Sequence, residues 1–136
     1  MIDEETKKWL IKALNDYKTA KQLVNLSEEE IITDTLCFHC QQFIEKALKA
    51  FLVLNKIEFE RIHNLEYLVK LCGDIDKSFE WIYEAVRKLS QYAIEIRYPD
   101  EFYIPTIDEA RECFEITSNV KVFILEKFGI KDEEIK

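Results

Sequence analysis

One uninterrupted stretch, from Thr33 to Lys56, most constrains the fold of this chain. It contains no glycine or proline, and its apolar residues recur at the three- and four-residue spacing of a helix. At about 100° per residue, one broad apolar face forms from Leu36, Cys37, Cys40, Phe43, Ile44, Ala47, Leu48, Phe51 and Leu54. The opposite face carries Gln42, Glu45, Lys46 and Lys49, with His39 near the edge. The apolar face is wider than a coiled-coil seam, and this width predicts the central helix of a bundle.

The scarcity of turn-forming residues extends this prediction to the whole chain. Only two glycines and two prolines occur in 136 residues, which is too few for the many tight turns of a β-rich fold. Apolar residues make up 48% and charged residues 34%, a balance typical of globular proteins. We therefore expect one domain over residues 1–136, with a core over about 4–128 and a short charged C-terminal tail.

The apolar periodicity predicts four long helices and one short one. They are expected over residues 3–25, 28–55, 64–73, 76–98 and 106–129, with a break of the second helix near Thr33 as an alternative. An all-α, up-down antiparallel four-helix bundle with one additional short helix is the packing that short connections favour.

Local signals set the predicted helix ends. Ser27 with Glu30 matches a capping box, and Asn64 can cap the short helix. Gly73 is expected to end that helix, as Gly129 is expected to end the last one. Asp76 or Ser78 can cap the fourth helix and Thr106 or Asp108 the fifth.

The net charge of −8 argues against RNA or DNA as a partner, because proteins that hold a nucleic-acid backbone usually present a basic face. No apolar run approaches the roughly 18 residues of a membrane span, so we expect no membrane partner. The acidic start, from Met1 to Glu5, lacks the form of a signal peptide. A cytoplasmic location is expected.

Two of the four cysteines, Cys37 and Cys40, have the spacing of a metal-binding pair. A zinc site would need further ligands, and no second such pair occurs in the sequence. Both residues also lie on the apolar face of the central helix. They are therefore interpreted as small buried hydrophobic side chains, and no metal is predicted.

Familiar catalytic patterns do not occur in the sequence. The histidines are His39 and His63, and no inward-facing Glu-x-x-His pair includes them. No glycine-rich phosphate loop and no Gly-x-Ser-x-Gly elbow is present. The sequence therefore predicts no cofactor.

A polar stripe on the central helix and an arginine near the fourth helix end are the candidate ligand-binding groups. The stripe consists of His39, Gln42, Lys46 and Lys49. It is either a solvated face, with Glu45 and Lys49 as an i,i+4 pair, or a surface that holds an anionic ligand. Arg97, with Tyr98 beside it, either pairs with a buried carboxylate or contacts phosphate or RNA.

The run from His39 to Ala50 resembles the signature helix of HEPN domains. His63-Asn64-Leu65 at the start of the short helix and Arg97-Tyr98-Pro99 at the end of the fourth helix agree with it, as does the early Trp9. The resemblance spans about residues 4–128. It implies a prokaryotic helical bundle, commonly a homodimer, that is often paired with a minimal nucleotidyltransferase encoded alongside.

Many HEPN domains are metal-independent ribonucleases, and the resemblance implies which residue would be needed for that activity. Those members carry an Arg, a polar residue directly after it, and a His four to six residues beyond that polar residue. The His acts as a general acid or base, and the Arg stabilises phosphate charge. Here Phe102, Tyr103 and Ile104 fall where the His would be, and no His follows Arg97 in the sequence. Tyrosine, with an ordinary pKa of about 10, is a poor replacement.

Three hypotheses follow from the sequence. The first is a non-catalytic, dimeric HEPN protein that partners a minimal nucleotidyltransferase in a toxin–antitoxin-like system, with a nucleotide as candidate ligand. The second is a metal-independent ribonuclease toxin with a degenerate site around Arg97. The third is a helical scaffold without a ligand.

Overall fold

The computed structural model describes residues 2–92 and 103–130, and every regular element in these ranges is helical. The α-helices are α1 (Glu4–Val24), α2 (Thr33–Leu54), α3 (Leu65–Ile75), α4 (Ile82–Tyr92) and α5 (Ile107–Phe128). None of these helices is both long enough and apolar enough to span a membrane. The predicted all-α class is confirmed. The predicted course of the fourth helix through Arg97 to Tyr98 lies outside the described residues.

Helix α2 is the central element, because it packs against α1, α3, α4 and α5. Its predicted apolar face is buried from Leu36 to Phe51, and Leu54 at its end is half-buried. The Phe51 ring lies 4.4 Å from that of Phe79 and 6.2 Å from that of Phe128, measured between centroids. Such aromatic contacts add to the free energy gained by burying apolar surface. They tie the end of α2 to the segment before α4 and to α5.

The start of α2 differs from the capping-box prediction. The helix begins at Thr33 rather than near Glu28, so the alternative of a break there is the correct one. Ser27 and Glu30 form a separate turn, in which the Glu30 and Ile31 N–H groups donate to the Ser27 carbonyl. The Ser27 hydroxyl bonds the Glu30 carboxylate instead of a helix N–H. Ile32 is extended and directly precedes the first residue of the helix.

The prediction that Gly73 ends α3 is wrong, since α3 continues to Ile75. The N–H of Asp76 donates to the Cys72 carbonyl, and the extended backbone of Asp76 then turns the chain away. The Asp76 carboxylate accepts from the Ser78 N–H and so caps a 3₁₀ turn, Lys77–Trp81, that leads into α4. Asp76 is thus a cap, as predicted, but for the 3₁₀ turn and not for α4 itself.

Three other helix ends agree with the sequence. Asn64 caps α3 by accepting from the Tyr67 N–H. Thr106 and Glu109 form a reciprocal capping box at the start of α5. Gly129 ends α5 with a φ of 66°, in the left-handed region that glycine adopts without steric cost.

All four cysteines are buried free thiols, which confirms the interpretation of Cys37 and Cys40 as core residues. The sulfur of Cys37 lies 3.3 Å from that of Cys113 on α5. Burial raises the pKa of Cys40 and of Cys72 to about 12, so both thiols are protonated at neutral pH. A protonated, buried thiol is neither a nucleophile nor a good metal ligand. Across residues 2–92 and 103–130, no group of three or more His, Cys, Asp or Glu could hold a metal ion.

Candidate functional site

Three residues of the polar stripe predicted on α2 belong to two clusters, each centred on a carboxylate. Asp16 of α1 binds His39 and Lys46, and we call these three residues the Asp16 cluster. One to two turns further along α2, Glu45 binds Lys49 and His63. We call these the Glu45 cluster.

The Asp16 cluster joins α1 to α2. His39 Nδ1 lies 2.8 Å from Asp16 Oδ1, and Lys46 Nζ lies 2.6 Å from Asp16 Oδ2. Each carboxylate oxygen therefore has one partner, and both partners are half-buried with access to water. The partial burial strengthens these charge-assisted hydrogen bonds, which link the two helices.

The Glu45 cluster is more deeply buried. The side chains of Glu45 and Lys49 are 3% and 8% exposed, and Lys49 Nζ lies 3.0 Å from Glu45 Oε2. His63, from the segment between α2 and α3, places its Nδ1 2.8 Å from the same oxygen. A buried ion pair must overcome a large desolvation cost, and loss of the Glu45 charge would leave the Lys49 ammonium in the core without a counter-charge.

Both histidine rings have a fixed orientation. In each ring, Nδ1 lies within hydrogen-bond distance of a carboxylate oxygen, which acts as the acceptor. The Nε2 atom then lies on the opposite side of the ring. For His63, whose side chain is 64% exposed, this arrangement leaves Nε2 available to water or a ligand.

Two buried acceptor atoms on α2 lack hydrogen-bond partners among the described residues. They are Glu45 Oε1 and Gln41 Oε1, one helical turn apart. Both partners of Glu45 share Oε2, whereas the partners of Asp16 are divided between its two oxygens. The Glu45 cluster is therefore less completely hydrogen-bonded than the Asp16 cluster.

An open cleft of about 920 Å³ lies beside the Glu45 cluster. It is bounded by the start of α1, the end of α2 and the segment that leads to α3. Basic side chains line it at Lys49, Lys56, Arg61 and His63, and acidic ones at Asp3, Glu5 and Glu58. The hydrogen bond from the Thr6 N–H holds the pKa of Asp3 below its usual range, so Asp3 is ionised at neutral pH. A volume of this size falls in the range of small-molecule sites, about 300–1,000 Å³.

The aromatic part of the cleft consists of Trp9 and Phe59. Their ring centroids lie 6.4 Å apart at an interplanar angle of 66°. The Lys49 ammonium lies 5.5 Å from the Trp9 centroid and 5.9 Å from the Phe59 centroid, which makes cation–π contacts to both. Lys49 therefore connects the buried carboxylate to the two rings. Its ammonium group already forms an ion pair with Glu45.

Lys56 at the edge of the cleft has an unusual backbone. Its φ is 58°, the one positive value at a non-glycine position among the described residues. The Lys56 N–H donates to the Val53 carbonyl and the Ile57 N–H to the Leu52 carbonyl, the bonds of a Schellman motif. Glycine or asparagine usually occupies this position, because a longer L-residue pays a steric cost there.

The structure places the predicted site residues as follows. His39 and Lys46 lie together on Asp16, Gln42 is half-buried on the same helix, and Lys49 belongs to the Glu45 cluster. The interpretation of the stripe as a solvated face is wrong for Glu45 and Lys49, because both are buried. Arg97 and Tyr98 lie outside the described residues.

Sequence reasoning did not assign Asp16, Glu45 or His63 to a site. A signal for Asp16 exists, since it falls between Ala13 and Ala20 on the apolar stripe of α1 at spacings of three and four. A carboxylate at such a position requires a buried partner. Nothing in the spacing links His63 to Glu45, because that contact depends on the path of the chain between α2 and α3.

Comparison with known proteins identifies the family. The model of the HEPN domain matches residues 6–127, so the chain belongs to the HEPN domain family. It is similar to the protein described as "Putative toxin MJ1304" of Methanocaldococcus jannaschii, with 29% identity over 143 residues. That alignment covers 92% of this chain and 91% of the relative. No solved structure matches the chain.

Proposed function

We propose that this chain is a cytosolic, dimeric HEPN protein of a toxin–antitoxin-like system, that it acts as the non-catalytic partner of a minimal nucleotidyltransferase, and that it binds a nucleotide. The observation that carries this proposal is the sequence after Arg97, which contains no histidine. Without that side chain, the general acid or base of the metal-independent ribonuclease reaction is missing. The up-down four-helix arrangement predicted from the sequence belongs to the same proposal.

The contacts of the two histidines in the chain support this proposal. His39 is bound to Asp16 and His63 to Glu45, each through Nδ1. Both residues are thus fixed by structural carboxylates on α1 and α2. The similarity to a protein described as a toxin supports the toxin–antitoxin setting.

Complex formation tests the partner role. The purified chain is mixed with the product of the neighbouring gene, which this proposal expects to be a minimal nucleotidyltransferase, and separated by size-exclusion chromatography with light scattering. We expect the chain alone to have twice its 16.3 kDa monomer mass and the mixture to elute as a larger complex. Separate elution of the two proteins would reject the partner role, and a monomer mass would reject the dimer.

A ribonuclease toxin is the second candidate, and the description of the relative as a toxin favours a toxin role for this chain. In this case the site lies around Arg97 and Tyr98, and Arg97 stabilises phosphate charge. Incubation with RNA distinguishes the two candidates. Cleavage that is lost in Arg97→Ala would replace the non-catalytic proposal, whereas cleavage that survives in Arg97→Ala would point to a contaminating nuclease. Our proposal expects no cleavage by either protein.

A further inference from the structure

We infer that the cleft between the start of α1, the end of α2 and the segment before α3 binds a mononucleotide. Lys56 and Arg61 would hold its phosphates, and Trp9 and Phe59 would contact its base. This inference rests on the nucleotide-binding part of the proposed function and gives it a location. The location differs from the polar stripe that the sequence suggested, because the cations of that stripe are bound to Asp16 and Glu45.

The first argument is the availability of positive charge. Lys56 and Arg61 are exposed, line the cleft, and make no side-chain hydrogen bond or ion pair with any other described residue. In contrast, the ammonium groups of Lys46 and Lys49 are both bound to carboxylates. A ligand phosphate can therefore bind Lys56 and Arg61 without breaking an existing pair.

The second argument is the backbone of Lys56. A lysine with a φ of 58° lies at the end of α2, where glycine would have no steric cost. Residues held in unfavourable backbone conformations often occur at ligand sites, because a function of the side chain compensates for the strain. Here the side chain at the strained position is a cation at the edge of a cleft.

The third argument is the rigidity of the adjoining wall. Glu45 orients the His63 ring and binds the Lys49 ammonium, which in turn contacts Trp9 and Phe59. A wall fixed in this way costs little conformational entropy when a ligand binds. Glu45 is thus a positioning residue, since it acts through side chains that line the cleft.

The chemistry of the lining favours a mononucleotide over other anions. Aromatic rings contact a nucleobase and the guanidinium of Arg61 matches phosphate geometry. The carboxylates of Asp3 and Glu5 accept hydrogen bonds, which ribose hydroxyls and base amino groups donate. The same carboxylates, with the net charge of −8, oppose a long polyanion.

Tryptophan fluorescence of the full-length chain gives a direct readout. The two tryptophans are Trp9 in the cleft and Trp81, which packs on Phe123 away from it. In a Trp81→Phe background the emission reports Trp9 alone. We expect ATP to change this emission in a saturable manner, and adenosine or inorganic triphosphate alone to bind more weakly, because each contacts only part of the cleft.

Three charge variants in that background locate the site. Lys56→Asn removes the charge with a residue that tolerates the left-handed region, and Arg61→Ala removes the second cation. We expect each to weaken ATP binding about tenfold, the usual effect of one charged hydrogen bond. The matched control is Lys18→Ala, an exposed lysine on α1 outside the cleft, which should change affinity less than about twofold. The melting temperature of Lys56→Asn should equal or exceed that of its parent.

The possible results separate this inference from the proposed function. Saturable ATP binding that Lys56→Asn and Arg61→Ala leave unchanged would overturn the cleft as the site. Absence of ATP binding, with the nucleotidyltransferase complex intact, would overturn the inference and leave the partner role. Tighter binding of a short RNA than of ATP would overturn the mononucleotide assignment. ATP binding that depends on both cations, without a nucleotidyltransferase complex, would support the inference and reject the partner role.

Discussion

The Asp16 and Glu45 clusters contain the same three kinds of side chain and differ in burial. Each has a carboxylate, a lysine from α2 and a histidine whose Nδ1 lies 2.8 Å from a carboxylate oxygen. The Asp16 side chain is 11% exposed and its partners reach water, whereas Glu45 is 3% exposed and its lysine is buried with it. The two clusters therefore differ in the burial of their lysine and not in their residue types.

This difference determines what each cluster can do. The Asp16 cluster satisfies both carboxylate oxygens and joins two helices, which is a structural role. The Glu45 cluster uses one oxygen for two partners and holds the side chains that line the cleft. A buried charge pair is weak evidence for stability in itself, but removal of one member is costly because it leaves an uncompensated charge. The following predictions test this comparison.

Glu45→Gln should have the largest effect on stability. It leaves the Lys49 ammonium buried without a counter-charge, which should lower the free energy of unfolding by about 3–5 kcal/mol. Urea denaturation followed by circular dichroism measures this change. A loss below about 1 kcal/mol would mean that Lys49 escapes to water.

Replacement of both buried charges should recover much of the stability that Glu45→Gln loses. The double variant Glu45→Leu with Lys49→Met fills the same space with apolar groups, and such exchanges of buried pairs are often neutral or stabilising. We expect it to be at least about 2 kcal/mol more stable than Glu45→Gln in the same urea experiment. If the double variant is the less stable protein, packing rather than charge explains the cost.

Asp16→Asn should cost less than Glu45→Gln. Its lysine and histidine partners are half-buried and can turn toward water, so we expect a loss of about 1 kcal/mol, near that of partly exposed pairs. The same urea measurement applies, with Lys18→Ala as an exposed control on α1. Equal losses for Asp16→Asn and Glu45→Gln would remove the distinction between the clusters.

The smallest effect on stability is expected at a third carboxylate–lysine pair, Asp76 with Lys127. This pair is more exposed than the carboxylate–lysine pair of either cluster. The hydrogen bonds from Lys127 and Ser78 lower the pKa of Asp76 from 3.8 to about 2. A lowered folded-state pKa contributes stability above pH 3.8, and this contribution disappears as the pH falls through about 2. Melting temperatures between pH 5 and pH 2 should therefore fall more steeply for the parent than for Asp76→Asn. Parallel curves would contradict the assigned cause.

Much of the fold could be predicted from particular residues. The uninterrupted stretch from Thr33 identified α2 and its buried face, and Asn64, Thr106 and Gly129 marked helix ends through local hydrogen bonds. The errors fall where two local signals compete. Ser27 formed a turn of its own, and Gly73 remained helical because Asp76 supplied a stronger end to α3. The candidate site was less predictable, since its carboxylates and cleft join residues distant in the chain.

By itself, the sequence determined an all-α HEPN domain with a central amphipathic helix, because helical periodicity and capping depend on residues three or four positions apart. Only the tertiary structure decided which polar side chains of that helix are buried and which partners they have. Helix periodicity shows which residues share a face, but the degree of burial depends on what packs there. The packing of α1 and the segment at residues 55–63 therefore separated Lys46 from Lys49 and placed the latter beside the cleft.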